Sequence, residues 1–205
     1  MRCGALMTDL GVGRLALIVI DLQIGMFDGV KFPPLVGAAP VLANVRRLID
    51  WARARQAPVI FVRHDGAAHE ALAPAAPGWP LHPDLGRRDN EAIISKSVGD
   101  AFATSDLASR LRVLDVGCLV LCGAQTDACV GDTLAGALRE GFGVIVAADA
   151  HATWDWAGET AAQIVARHNI VFAKDAAGVV STAEIVAAQS LHFQKGSLPG
   201  NDTWP

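Results

Sequence analysis

The chain of 205 residues lacks a long apolar run, a basic cluster, paired cysteine motifs and a glycine-rich phosphate loop. Each absence removes a class of function. Its strongest apolar stretch, Leu15 to Ile20, is far shorter than the roughly 20 residues that a membrane helix needs, and no signal-peptide hydrophobic region stands at the N-terminus. A cytoplasmic location is therefore expected. With no Lys/Arg run and a net charge of −4, nothing offers the positive face that nucleic acid or an anionic membrane requires. Neither partner is expected, and a small-molecule substrate is. Four cysteines (Cys3, Cys118, Cys122 and Cys129) are too few for a disulfide framework at this length, and no CxxC pair suggests zinc. Reduced thiols follow. After the first strand candidate stands Asp21-Leu22-Gln23 in place of a glycine-rich loop, which disfavours nucleotide binding. Internal repeats and low-complexity segments are also missing.

What is present suits a single domain over residues 1–205, with its core at about 14–190. At 52% hydrophobic and 19% charged residues, the chain has enough apolar surface to bury a sizeable core. Short β-rich runs alternate with segments of helical period, the pattern of βαβ units around a mainly parallel sheet. The strand candidates are Leu15 to Ile20, Val59 to Val62, Ala92 to Ser95, Cys118 to Cys122, Val144 to Ala147 and Ile170 to Phe172. Between the first two, Val41, Val45, Leu48, Ile49 and Ala52 form a one-face stripe that starts just after Pro40, a favoured first-turn residue. Further stripes are Val130, Leu134, Ala137, Leu138 and then Ala161, Ile164, Val165, His168. Ser181 and Glu184 have capping-box spacing and open a last helix. The segment from His64 to Asn90, with Pro74, Pro77, Pro80 and Pro83, keeps no period, as expected of a lid or binding loop. Residues Gly196 to Pro205 read as a polar arm.

In open α/β sheets, ligands gather beyond the carboxyl ends of the strands. Three residues there carry chemistry: Asp21 after the first strand, Lys96 after the third, and Cys129 just past the fourth. Thr126 or Asp127 can cap the helix that follows the fourth strand, placing Cys129 in its first turn. The helix dipole and unpaired backbone N–H groups favour a thiolate there and can hold an oxyanion. Taken singly, a buried Cys is usually a small hydrophobe, an Asp after a strand a cap and a Lys a solvated charge.

Their combination is more specific. Gly123-Ala124-Gln125-Thr126-Asp127-Ala128-Cys129-Val130, with Thr133 beyond, resembles the nucleophile motif of the isochorismatase-like cysteine hydrolases. Ile20-Asp21-Leu22-Gln23, Ser95-Lys96-Ser97 with Gly99-Asp100-Ala101-Phe102, and Ala148-Asp149-Ala150-His151-Ala152-Thr153 match further stretches of that family, in order. The resemblance runs from about Leu15 to Phe172. It implies a three-layer α/β/α fold, Rossmann-like, with a doubly wound six-stranded parallel sheet in the order 3-2-1-4-5-6. It also implies that Cys129 is the nucleophile of an amidohydrolase, Asp21 the general base and acid, and Lys96 a cation beside both. A non-proline cis bond between Ala124 and Gln125 is implied too, with the N–H groups of Gln125 and Cys129 as the oxyanion hole. The family further implies a homo-oligomer, dimer or tetramer, for which Trp51, Trp154, Trp156 and Trp204 are surface candidates.

Gln23, Phe27, His64, Trp79, Phe102, His151 and Trp154 are candidates for the substrate pocket, because pockets combine apolar walls with few polar anchors. The stretch from His64 to Pro83, with Gly78-Trp79-Pro80-Leu81-His82-Pro83, resembles the branch of the family that includes streptothricin hydrolase. Nicotinamidase-like members carry an Asp-x-His metal cluster after the second strand. Here that place reads Arg63-His64-Asp65, with His69 and His82 later, so no metal and no cofactor is expected. True isochorismatases lack the cysteine, so Cys129 argues against vinyl-ether hydrolysis. The competing readings are a redox-sensing or non-catalytic assembly protein on the same fold, and a metal-assisted nicotinamidase. A sensor needs a thiolate but no carboxylate base, so the company of Asp21 and Lys96 favours hydrolysis.

Overall fold

Six strands form one parallel sheet in the computed structural model, which describes residues 14–175 and 178–188. They are β1 (Arg14–Ile20), β2 (Val59–His64), β3 (Ala92–Lys96), β4 (Val116–Ala124), β5 (Gly143–Ala152) and β6 (Gly178–Val180). Their order is β3-β2-β1-β4-β5-β6, so the chain winds outward from β1 in one direction and then from β4 in the other. Cys3, Trp204 and the expected arm at 196–205 lie outside the described residues.

The strands carry few polar residues because helices cover both faces of the sheet. In β1, Leu17 and Val19 join the core under α1 (Ala38–Ala54) and α5 (Thr182–Ala187). Ala16, Ile18 and Ile20 join the opposite core, under α2 (Leu107–Val113), α3 (Gly131–Arg139) and α4 (Ala161–Lys174). In α1 the residues Val45, Leu48, Ile49 and Ala52 are fully buried. Burying one such aliphatic side chain stabilises the fold by roughly 1.5–3 kcal/mol, and Leu48→Ala would cost about 2–5 kcal/mol. Pro40 sits in the first turn of α1, where its missing N–H has no intrahelical partner to lose. The Ser181 and Glu184 capping box opens α5, and an equivalent Thr160 and Gln163 box opens α4. Among the described residues, no helix is long and apolar enough to cross a membrane.

Two expectations fail here. Ile170 to Phe172 is not a strand: α4 runs through it, and the sixth strand is Gly178–Val180. Along α4, Ala161, Ile164 and Phe172 are buried while Ile170 and Val171 are exposed. The β-branched pair thus stands on the outer face of a helix whose packing overrides its propensity. Trp51 is 5% exposed, packed into the core, so it offers nothing to a partner; Trp156 is exposed.

The long segment after β2 folds back onto the start of the chain. Its hydrogen bonds run from the amides of Ile24, Gly25 and His82 to the carbonyls of Pro80, Gly78 and Leu22, at 2.8–2.9 Å. It contains one short 3-10 turn, Pro83–Leu85, and otherwise turns.

Candidate active site

The close approach of β1 and β4 sets the position of the site. Ile20 and Gly123 are register partners, and a Cβ on Gly123 would lie 2.1 Å from the Ile20 carbonyl oxygen. Gly123 also has φ 127°, a region that L side chains rarely adopt. Only glycine lets the two backbones meet here, and the chain leaves this contact as Asp21 on one side and Gln125 on the other. Asp21 takes φ 50°, an uncommon conformation that Asp and Asn tolerate better than other side chains. Its amide donates to the Val62 carbonyl, 3.0 Å away, which ties the turn to β2.

Past β4, the Ala124–Gln125 peptide is cis, and Thr126–Val130 forms a π-helical turn that leads into α3. The expected cap is absent. Gln125 holds the N-cap position without a side-chain bond. Thr126 Oγ1 instead pairs with His151 Nδ1 at 2.9 Å, and Asp127 accepts from Thr153 Oγ1 at 2.5 Å. Cys129 therefore lies in a wide turn anchored to β5 and its continuation, not in the first turn of a regular helix.

Lys96 joins the two sides. It ends β3, two strands away from β1, and reaches Asp21 Oδ2 at 2.6 Å and Cys129 Sγ at 3.2 Å. Its Nζ also donates to the Val98 carbonyl at 3.1 Å. That inward reach is held by α3: Thr133 Oγ1 accepts from the Ala101 amide at 3.1 Å, and Arg139 grips Asp100 at 2.6 Å. Asp21 and Lys96 are 1% and 2% exposed, whereas Cys129 is half-buried. The 2.6 Å contact commits Asp21 Oδ2 to the ammonium, while Oδ1 is buried and not taken up by any other side chain or amide among the described residues. A buried acceptor left open beside a thiol is suited to receive a proton.

Burial penalises the Lys96 charge, but Asp21 and then Cys129 more than offset this, so its pKa lies above the usual lysine value. Burial, reinforced by the Asp21 charge, pushes the Cys129 thiol up to about 11, against the pull of Lys96. The thiolate-favouring pull expected of a helix start is therefore not the dominant influence on this sulfur. Desolvation is the largest influence, and it favours the neutral thiol.

The proposed pocket residues fall into separate environments. Gln23 is fully buried and acts as a staple: its Oε1 accepts from the His64 amide at 2.8 Å, and its Nε2 donates to the His64 and Trp79 carbonyls at 3.0 and 2.8 Å. His151, 2% exposed, is not a pocket residue; both ring nitrogens are engaged, with Thr126 and with Asn169 Oδ1 at 2.9 Å. Burial holds its pKa at about 4, so it stays neutral and braces the Cys129 turn. Phe102 is a core residue against Phe142, with ring centroids 5.7 Å apart. Phe27 meets His82 edge-on at 4.7 Å. Trp154 donates to the Pro33 carbonyl at 2.6 Å and stacks on Phe32. Trp79 donates to Asp65 Oδ1 at 2.8 Å. His64 pairs in register with Lys96 and so leaves the sheet on the Lys96 face, with its Nδ1 buried and without a described partner. His69 is exposed and His82 Nδ1 accepts from the Asp84 amide at 3.3 Å. Among the described residues, no three His, Cys, Asp or Glu side chains gather as metal ligands. Cys118 and Cys122 are buried in β4, burial raising the Cys118 thiol to about 11 and the Cys122 thiol further still.

Residues 15–184, which carry this whole arrangement, match the family described as Isochorismatase domain. The chain belongs to the isochorismatase family. It is 36% identical over 140 residues to streptothricin hydrolase of Streptomyces noursei, a match that takes in 68% of this chain and spans half the length of that relative. It is 28% identical over 190 residues to ureidoacrylate amidohydrolase RutB of Stutzerimonas stutzeri, covering 76% of this chain and 75% of that one. The crystal structure of a cysteine hydrolase from Pseudomonas syringae pv. phaseolicola superposes with a TM-score of 0.78 at 25% identity, over 84% of this chain and 91% of the other. The isochorismatase-like hydrolase fold and its parallel six-stranded sheet are thus shared.

Sequence reasoning missed the supports behind these residues. The Thr160 and Gln163 spacing was a legible capping box. Asn169, which also donates to the Ala148 carbonyl at 3.0 Å, gave no signal, because its partners lie far from it in sequence.

Proposed function

We propose that this chain is a cysteine-dependent hydrolase that cleaves the C–N bond of a small amide, lactam or carbamoyl compound through a thioester. The observation that carries the reading is the single lysine ammonium in contact with both a buried carboxylate and a thiol. The amidohydrolase among its relatives supports C–N chemistry in particular.

Asp21 takes the Cys129 proton as Sγ attacks the substrate carbonyl carbon. The resulting oxyanion is held by the backbone N–H groups of Gln125 and Cys129, and Asp21 returns the proton to nitrogen as the C–N bond breaks. Water, deprotonated by Asp21, then attacks the thioester, and the departing sulfur takes that proton back as the acid leaves. Lys96 offsets negative charge as it moves between Asp21 and Sγ. A thiol that rests protonated suits this scheme, because the thiolate forms only when a carbonyl is there to accept it. The same protonation disfavours an oxidant sensor, which works through a resting thiolate.

The test is iodoacetamide with a panel of amides and ammonia detection. Alkylation of Cys129 should abolish turnover irreversibly, and Cys129→Ser should stay folded with essentially no activity. Labelling of other cysteines alone, with activity untouched, would refute the assignment. We also place the protein in the cytoplasm as a homo-oligomer, dimer or tetramer, with exposed Trp156 near a subunit contact. Elution as a monomer in calibrated light scattering would overturn that.

A further inference from the structure

A pocket of about 320 Å³ lies on the opposite face of the sheet from Lys96, lined by Arg63, Trp79, His82, Pro83, Arg87 and Ile93 among others. Strand alternation decides the face. Arg63 and Ser95 leave β2 and β3 on the side of Phe61 and Ile93, which belong to the α1 core, whereas His64 and Lys96 leave on the side of Val62 and Ile94. None of Asp21, Lys96 and Cys129 lines it.

We propose that this pocket binds a small organic carboxylate carried on a flat apolar body, a role beyond the hydrolysis proposed above. Two guanidinium groups share the wall with too little negative charge to neutralise them. Arg63 lies over the Trp79 ring, its Cζ 3.5 Å from the centroid, and its Nε is buried without an acceptor among the described residues. Its neighbouring carboxylate is Asp65, whose Oδ1 is 3.7 Å away and already accepts from Trp79 Nε1 and Ser95 Oγ. Arg87 is braced from behind, Nη1 donating to the Arg88 and Glu91 carbonyls at 2.7 Å. Among the described residues its Nη2 pairs with Asp89 alone, 3.6 Å away and fully in solvent, where an ion pair contributes little. Asp84 is similarly exposed beside His82, at 3.8 Å. Glu91 is committed to Arg53 at 2.8 Å. Burial disfavours the Arg63 cation more than the Asp65 charge favours it, and the Arg87 charge adds a smaller penalty.

A carboxylate between the two forks would take charge-assisted bonds from Arg87 Nη2 and from the outer guanidinium nitrogens of Arg63, whose Nε is too buried for a ligand to reach. The remaining walls, Trp79, Pro80, Leu81, Pro83 and Ile93, are flat or aliphatic. The volume stands at the small end of ligand sites, which suits a one-ring ligand.

Sodium benzoate is the probe, titrated into the full chain and followed by tryptophan emission and thermal midpoint. A saturable response is expected that sodium chloride at equal ionic strength and benzyl alcohol do not reproduce. Arg87→Gln, at the rim of the pocket, should weaken binding about tenfold or more. The surface control Arg110→Gln should not change it, and Trp79→Phe should lose the emission change. Protein alkylated at Cys129 should bind benzoate as before, so that failure of the hydrolase reading and failure of this one are told apart. A response equal in chloride or benzyl alcohol, undiminished in Arg87→Gln, or abolished by alkylation of Cys129 would overturn the proposal, as would no response at all.

Discussion

Asp21→Asn should make Cys129 more reactive while destroying turnover. In the native site, burial comes first among the causes that hold the thiol near 11, and the Asp21 charge comes second. At pH 7 such a thiol is ionised to about one part in ten thousand, against about one in a hundred for an ordinary cysteine near 9. Asparagine keeps the shape and tolerates the φ of 50° at this position, but it removes the negative charge. Lys96, 3.2 Å from Sγ, is then left with the sulfur as its nearest counter-ion and pulls the thiol pKa down. Each tenfold gain in thiolate speeds alkylation by only about threefold, because nucleophilicity falls with basicity. The loss of a general base should lower turnover by about 10²–10⁴-fold. Orphaning a buried Lys96 costs about 3–5 kcal/mol, within reach of an ordinary domain's stability. The assay is the rate of iodoacetamide labelling at Cys129 by mass spectrometry, beside amide turnover, on protein shown to be folded by circular dichroism. If the folded variant alkylates no faster than the wild type, the charge does not hold the proton on sulfur, and the reasoning fails.

His151, neutral in the core down to pH about 4, takes up a proton near 6.5 once unfolded, so its contribution is whole above 6.5 and lost as pH falls towards 4. Roughly 3 kcal/mol should disappear over that window, and urea midpoints should fall less steeply with acid in His151→Gln; an unchanged slope would count against the buried neutral ring. Gly123→Ala should cost at least about 3 kcal/mol in urea unfolding, since its Cβ would meet the Ile20 carbonyl at 2.1 Å; a wild-type midpoint would mean that β1 and β4 are not pressed together there. Exhaustive EDTA treatment should leave turnover unchanged, since Asp21, Cys129 and two backbone amides supply every proposed role; loss of activity restored by zinc, iron or manganese would make His64, His69 and His82 ligand candidates.

The amino-acid sequence by itself determined most of the layer architecture and the three residues at the centre of the site. Leu15–Ile20 and Cys118–Cys122 are apolar at every position because both faces of the sheet are covered, and such runs declare themselves locally. The α1 stripe and the Ser181–Glu184 box are legible for the same reason: each depends on contacts within a few residues. Asp21, Lys96 and Cys129 could be picked out because they stand at strand ends in a spacing that resembles one family. Packing decided the rest. Ile170–Phe172 has strand propensity, yet one buried Phe172 on a helical face outweighs two exposed β-branched neighbours. Thr126 and Asp127 have capping side chains, but His151 and Thr153, distant in sequence, claim them. The protonation of Cys129 depends on how much water the fold removes and on which charge lies nearer. Burial and charge proximity are properties of three-dimensional arrangement, and no local pattern encodes them.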